Sequence, residues 1–291
     1  MVAMVCGGAG VAAAATDAAG ASRAAGVEYW THYRMEHAVP MGPTPTGADA
    51  GADAGAADAG GRTVARAGAD ETSVVVSGAA DDRGVVARDT GKVFFELDGT
   101  DYVCSGAAVG GPRVSVVVTA AHCVTDGYGG WATHWVFVPG YTDGDEPYGS
   151  FPSQRFFVSP RWNAGMDETY DVAFVAVSGL THGLPVGFDA DPRSAYVFGY
   201  PADPPYNGGS MLYCAGPLSR DPGGDDSGIQ CHMTAGDSGG PWLTGFQSAS
   251  GTGTVVGVSA FKYSDNDQVL YGAVFGDVAQ DLYQEALATA R

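Results

Sequence analysis

The sequence predicts an all-β protein, a barrel or sandwich of short strands finished by one C-terminal helix. Two observations carry this. From Gly84 onward the chain falls into short runs rich in Val, Phe, Tyr and Thr, punctuated by Gly, Pro, Asp and Asn, the pattern of many short strands joined by turns. After residue 277 the period changes, and Val278, Leu282, Tyr283 and Leu287 fall near one helical face.

Taken in order, the strands expected in the first half cover residues 93–97, 102–109, 114–120, 135–138, 155–158 and 171–177. Those of the second half cover 195–198, 211–214, 228–233, 254–261 and 269–275, with the helix over 278–290. The chain ahead of Gly84 is different in kind. Residues 1–15 are apolar and end in Ala13-Ala14-Ala15, like a signal-peptide core with a small-residue cleavage site, although no Lys or Arg precedes them. Residues 47–61 are only Gly, Ala and Asp, which cannot bury enough apolar surface to offset the entropy of ordering. Residues 1–26 therefore read as a leader, 27–83 as a pro-segment with a flexible linker, and 84–291 as the folded domain. Tyr29-Trp30-Thr31 and Arg34-Met35 form a small aromatic cluster to which the sequence assigns no chemistry. No run approaches the roughly 18 apolar residues of a membrane span.

Charge and cysteine content narrow the function. The formal net charge is −19, and the only lysines are Lys92 and Lys262. A nucleic-acid partner is excluded on this ground, because affinity for phosphate backbones comes from Lys and Arg. Of the five cysteines, Cys6 lies in the leader, while Cys104, Cys123, Cys214 and Cys231 make an even set in the folded domain. That set predicts two disulfides and an oxidising, extracellular compartment, with three connectivities open. No pair has C-x-x-C spacing, so neither zinc nor any other cofactor is expected. Residues 141–146 offer oxygen ligands for calcium without the EF-hand spacing.

Three separated segments carry chemistry: Thr119-Ala120-Ala121-His122-Cys123, Tyr170-Asp171-Val172-Ala173-Phe174 and Gly236-Asp237-Ser238-Gly239-Gly240-Pro241. Serine is a weak nucleophile until an imidazole takes its proton and a buried carboxylate holds that imidazole in one tautomer. Asp171 heads an apolar run, where an acid is expensive unless partnered; Asp167 and Glu168 beside it read as solvated. The serine motif alone also fits the G-x-S-x-G elbow of α/β-hydrolases, whose catalytic histidine follows the serine. Here His32, His37, His122, His134, His182 and His232 all precede Ser238, so chain order excludes the elbow.

These residues resemble the chymotrypsin/trypsin-like serine peptidases, and more narrowly their secreted bacterial branch, over roughly residues 84 to 290. The resemblance implies two six-stranded Greek-key barrels with the site in the cleft between them. His122 would be the general base, Asp171 its orienting acid and Ser238 the nucleophile. The N–H groups of Gly236 and Ser238 would form the oxyanion hole. It favours the pairs Cys104–Cys123 and Cys214–Cys231, and implies that the segment ahead of the domain is removed on maturation. Asp237 needs a partner other than a new amino terminus, for which an arginine inside the barrel is the expectation. Where trypsin has a specificity aspartate, six residues before the nucleophile, this chain has His232, so cleavage after basic residues is not implied. His232 is a candidate for meeting an acidic side chain, against the plainer reading of a loop histidine beside a disulfide. Ser259 would hold substrate backbone, and Phe261, where a small residue is common, implies a shallow pocket. The expected function is a secreted, monomeric serine endopeptidase acting on protein or peptide substrates. The alternatives are a catalytically silent binding protein on this fold, or an esterase using the same triad.

Overall fold

The computed structural model describes residues 27–42, 76–79, 84–110 and 115–290. The expected leader, Cys6 and residues 47–61 lie outside the described residues. In chain order the elements of the first half are α1 (His32–His37), β1 (Val39–Pro40), β2 (Val76–Ala79), α2 (Val85–Asp89), β3 (Thr90–Leu97), β4 (Thr100–Val109), β5 (Val116–Thr119), β6 (Thr133–Pro139), β7 (Phe151–Val158), α3 (Pro160–Gly165) and β8 (Ala173–Val177). The second half holds β9 (Ser194–Gly199), β10 (Leu212–Pro217), β11 (Ser219–Arg220), β12 (Ser227–Gln230), β13 (Pro241–Gln247), β14 (Thr252–Tyr263), β15 (Asn266–Val274) and α4 (Asp277–Thr289).

The first barrel closes in the order β4-β3-β6-β7-β8-β5, with β5 returning to β4. The length of β4 lets it serve two partners on one edge. Its far end pairs with β5 (Ala107↔Val118), while its near end pairs in parallel with β1 (Val39↔Tyr102, Pro40↔Val103). Apart from β7, most of whose side chains are partly exposed, the strands of this barrel are largely buried on both faces, and alternation sorts their side chains. Val93 and Phe95 of β3 point into a core with Trp135, Phe137 and Val175. Phe94, between them, joins a second layer that reaches across to Leu243, Val258 and Phe275 of the other half. Two large cores, one inside the barrel and one between the halves, hold the two halves of the cleft in register.

The second half runs β12-β15-β14-β13-β9-β10, with β11 on one outer edge and β2 on the other. The expected second closed barrel is not formed by a strand ladder among the described residues, and the reason is local. The edge of β10 is taken by β2, with Leu212↔Ala79 through Ala215↔Val76. The seam toward β12 is instead joined covalently by Cys214–Cys231; the other expected pair, Cys104–Cys123, is also formed. The C-terminal helix lies against β7 and β8 of the first barrel. Leu282 and Tyr283 are buried as expected, together with Ala279 and Ala286, while Val278 and Leu287 are only partly covered. Tyr283 meets Phe174 and Phe188 at ring distances of 5.4 and 5.6 Å.

Replacing Cys214 and Cys231 together by alanine is expected to cost about 2–4 kcal/mol, the usual worth of a native disulfide. Urea unfolding followed by tryptophan fluorescence measures this, and an unchanged midpoint would show that the seam needs no covalent closure.

Candidate active site

His122 sits in a 3-10 turn, Ala121–Cys123, directly after β5. Asp171 ends a second such turn, Glu168–Tyr170, two residues before β8 begins. Because β5 and β8 are paired (Thr119↔Ala173), the two turns face each other at one end of the barrel. The sequence reading placed Asp171 inside the strand. Lying outside it frees the carboxylate from the strand's alternation and lets it turn back on His122. One carboxylate oxygen accepts from the His122 backbone N–H at 2.9 Å, and the other lies 2.6 Å from Nδ1. Both residues are buried, as is Trp162 of α3, whose ring lies 6.4 Å from the imidazole and helps exclude water. Asp167 is exposed, as expected.

Ser238 comes from the turn between β12 and β13. Glycine is required here by contact. Gly239 has φ of +81°, and a Cβ on it would stand 2.2 Å from Thr119 Oγ1 of the first barrel. Gly236 likewise has φ of +98° and lies close under the Tyr200 carbonyl. First-barrel residue Ser105 fixes this turn from the opposite side. Its N–H donates to the Ser238 carbonyl at 2.8 Å, and its hydroxyl donates to the Gly236 carbonyl at 2.8 Å while accepting from Tyr200 N–H. Nothing in the sequence singled out Ser105, since a serine in an alternating strand is unremarkable; its neighbour Cys104 was the available signal.

The site thus brings His122, Asp171, Ser238 and Gly236 together. Two other candidates are placed in the wall. Ser259 is fully buried; its N–H donates to the Gly240 carbonyl, its carbonyl accepts from Gly239 N–H, and its hydroxyl accepts from Trp242 Nε1 at 3.1 Å. Phe261 packs flat on Tyr271 at 5.1 Å in a satellite cluster with Ala260 and Val269. His232 is exposed between the buried Cys231 and Met233. His122 is grouped with the sulfurs of Cys104 and Cys123 at metal-ligand distances, but the disulfide removes both thiolates.

Asp237 corrects one expectation. It is buried, and among the described residues its Oδ2 has no hydrogen-bond partner. The cation that acts on it most is Lys262, with the His122 ring also nearby, and not an arginine. Lys262 Nζ is itself engaged, donating to the Cys231 and Asp267 carbonyls at 2.8 and 2.6 Å. Burial dominates and pushes the Asp237 carboxyl up from 3.8 to about 7.

Comparisons with known proteins place the fold among serine proteases. The chain is 36% identical to the protease Anisep from Arthrobacter nicotinovorans, with a TM-score of 0.66 over 73% of this chain and 100% of that one. It is 34% identical to the thermostable serine protease AL20 from an extremophilic microorganism, with a TM-score of 0.65 over 70% of this chain and 98% of that one. A stretch of 78 residues is 32% identical to an extracellular metalloprotease of Bacillus subtilis. That match spans only 24% of the curated relative's length and 27% of this chain. No protein-family profile matches the chain.

The raised Asp237 carboxyl sets a pH dependence. The folded state keeps a proton up to about pH 7 that the unfolded chain loses near 3.8, so this group's stabilising contribution fades as pH rises through that window. Asp237→Asn, which cannot ionise, should therefore gain stability relative to the parent on going from about pH 5 to about pH 8. Urea midpoints at both pH values test this; an identical difference at the two would contradict it.

Proposed function

The chain belongs to the chymotrypsin-like serine peptidase family and is a serine protease; from that premise we propose that it is a secreted endopeptidase working through Ser238, His122 and Asp171. Ser238 Oγ attacks the carbonyl carbon of the scissile peptide bond as its proton passes to His122 Nε2. Asp171 stays ionised, holds the Nδ1–H tautomer and stabilises the imidazolium. The oxyanion is held by the N–H groups of Gly236 and Ser238. Collapse of the tetrahedral intermediate breaks the C–N bond, and His122 returns the proton to the leaving amine. Water, deprotonated by the same imidazole, then releases the acyl group and restores the serine.

The observation that carries this reading is the double grip of Asp171 on His122, at 2.9 Å to the backbone N–H and 2.6 Å to Nδ1. A purely structural aspartate would not need to select one imidazole tautomer in a water-poor site. Secretion is supported by the two disulfides, which persist in oxidising compartments. No helix among the described residues is long and apolar enough to cross a membrane. The substrate is a protein or peptide chain.

Fluorophosphonate labelling of the processed protein, with peptide mapping, tests the assignment. The label should fall on Ser238 and vanish in Ser238→Ala, while His122→Ala should lower kcat/KM by about 10⁴-fold or more. No labelling of folded, processed protein would favour a silent binding role. Turnover of esters without amides would favour an esterase.

A further inference from the structure

Residues 27–42, the start of the expected pro-segment, to whose aromatic cluster the sequence assigns no chemistry, are built into the site. Trp30 and Met35 are buried against the first barrel. The indole Nε1 donates to the His134 carbonyl at 2.5 Å, and its ring lies 5.4 Å from Phe94. Tyr29 stacks on His134 at 3.9 Å. Tyr29 Oη and Arg34 Nη1 both donate to Asp101, one to each carboxylate oxygen, at 2.7 and 2.6 Å. From this anchor the chain runs as β1 beside β4, and Met41 N–H donates to the Val103 carbonyl at 2.9 Å. The Met41 carbonyl then accepts from two groups at once, Gly236 N–H at 3.2 Å and Ser238 Oγ at 3.3 Å. His122 Nε2 is buried and makes no hydrogen bond among the described residues.

We propose that residues 27–42 are a tethered inhibitor that seats the Met41 carbonyl on the oxyanion donor with the peptide running backwards. The inference rests on the reading of Ser238 as nucleophile. It rests equally on the expectation that a substrate would present the residues before its scissile carbonyl to the strand of Ser259 and Phe261. Here the residues before Met41 lie on β4 instead, running parallel to it. The carbonyl therefore reaches the donor while its acyl-side chain occupies the other side of the cleft. The serine hydroxyl is committed as a donor to the Met41 carbonyl oxygen, so it is not hydrogen-bonded to the base, and His122 Nε2 is left without a partner among the described residues. Nucleophile, base and oxyanion donor are uncoupled by one carbonyl group, and the Met41–Gly42 bond is held without being attacked. Anchorage far from the chemistry, at Trp30 and at Asp101, supplies the affinity, and tethering supplies the effective concentration. Release of the segment frees Gly236 N–H and lets Ser238 turn to His122.

The test uses the full chain, with the fluorophosphonate labelling rate at Ser238 and the hydrolysis of a chromogenic peptide as readouts. Trp30→Ala and Arg34→Ala weaken the anchor from the segment side, and Asp101→Ala weakens it from the barrel side. Each should raise both rates by about tenfold or more, the scale on which truncating a buried anchor shifts such equilibria. Near-UV circular dichroism verifies that each variant is folded. A synthetic peptide of residues 27–42, added in trans, should slow the Trp30→Ala chain again and act more weakly on Asp101→Ala. Equal labelling of the parent and all three variants would overturn the inhibitor while leaving the nucleophile assignment standing. Cleavage at Met41–Gly42, with the acyl group on Ser238, would show a productive orientation and overturn the reversed one. Absence of labelling even after limited proteolysis has removed residues 27–42 would overturn the nucleophile assignment, and the inhibitor with it.

Discussion

The Asp171 carboxylate makes two bonds to one residue, the backbone N–H and the ring Nδ1 of His122, and much of the architecture serves to make that possible. A buried carboxylate is costly unless its oxygens are satisfied by well-placed donors. Satisfying both from a single histidine requires that two turns meet end to end. The β5–β8 ladder provides this, and the Cys104–Cys123 disulfide fastens the histidine turn to β4. With the backbone N–H held as well as the ring, the imidazole is fixed in position and tautomer. Its Nε2 has no hydrogen-bond partner among the described residues, as the proposed role of general base requires.

The second half of the molecule then brings Ser238 to a histidine that the first barrel holds. Ser105 is the link. It belongs to the first barrel but bonds Ser238, Gly236 and Tyr200 of the second. Gly239 sits so close to Thr119 that only a hydrogen fits where a side chain would be. The cleft is therefore defined by backbone and hydroxyl contacts across it, backed by the shared apolar layer. Contacts of this kind are short and directional, so small displacements are expensive. The same directness explains how a single carbonyl from residue 41 can engage Ser238 Oγ and the Gly236 N–H together.

Much of this was legible in the sequence because the relevant signals are local. Short β-rich runs bounded by turn residues marked most strands, the change of period after residue 277 marked the helix, and the order of His122, Asp171 and Ser238 separated two folds that share one motif. What was not legible depends on distant contacts or on breaker residues. The strand β13 begins at Pro241 and contains Gly245, so it reads as a turn although both neighbours pair with it. The short strand β1 has no pattern of its own and exists only because β4 extends past β5. Asp237 shows its charge in the sequence, but not that Lys262, far along the chain, is the cation nearest to balancing it. His232 matched a position in a motif, yet that position faces solvent here.

The most direct measurement is the proton spectrum of protein carrying isotope-labelled histidine. The account predicts one far-downfield resonance, bonded to His122 Nδ1, that persists in Ser238→Ala and disappears in Asp171→Ala. A spectrum without that resonance, or one in which it survives loss of Asp171, would contradict the claim that this carboxylate sets the site.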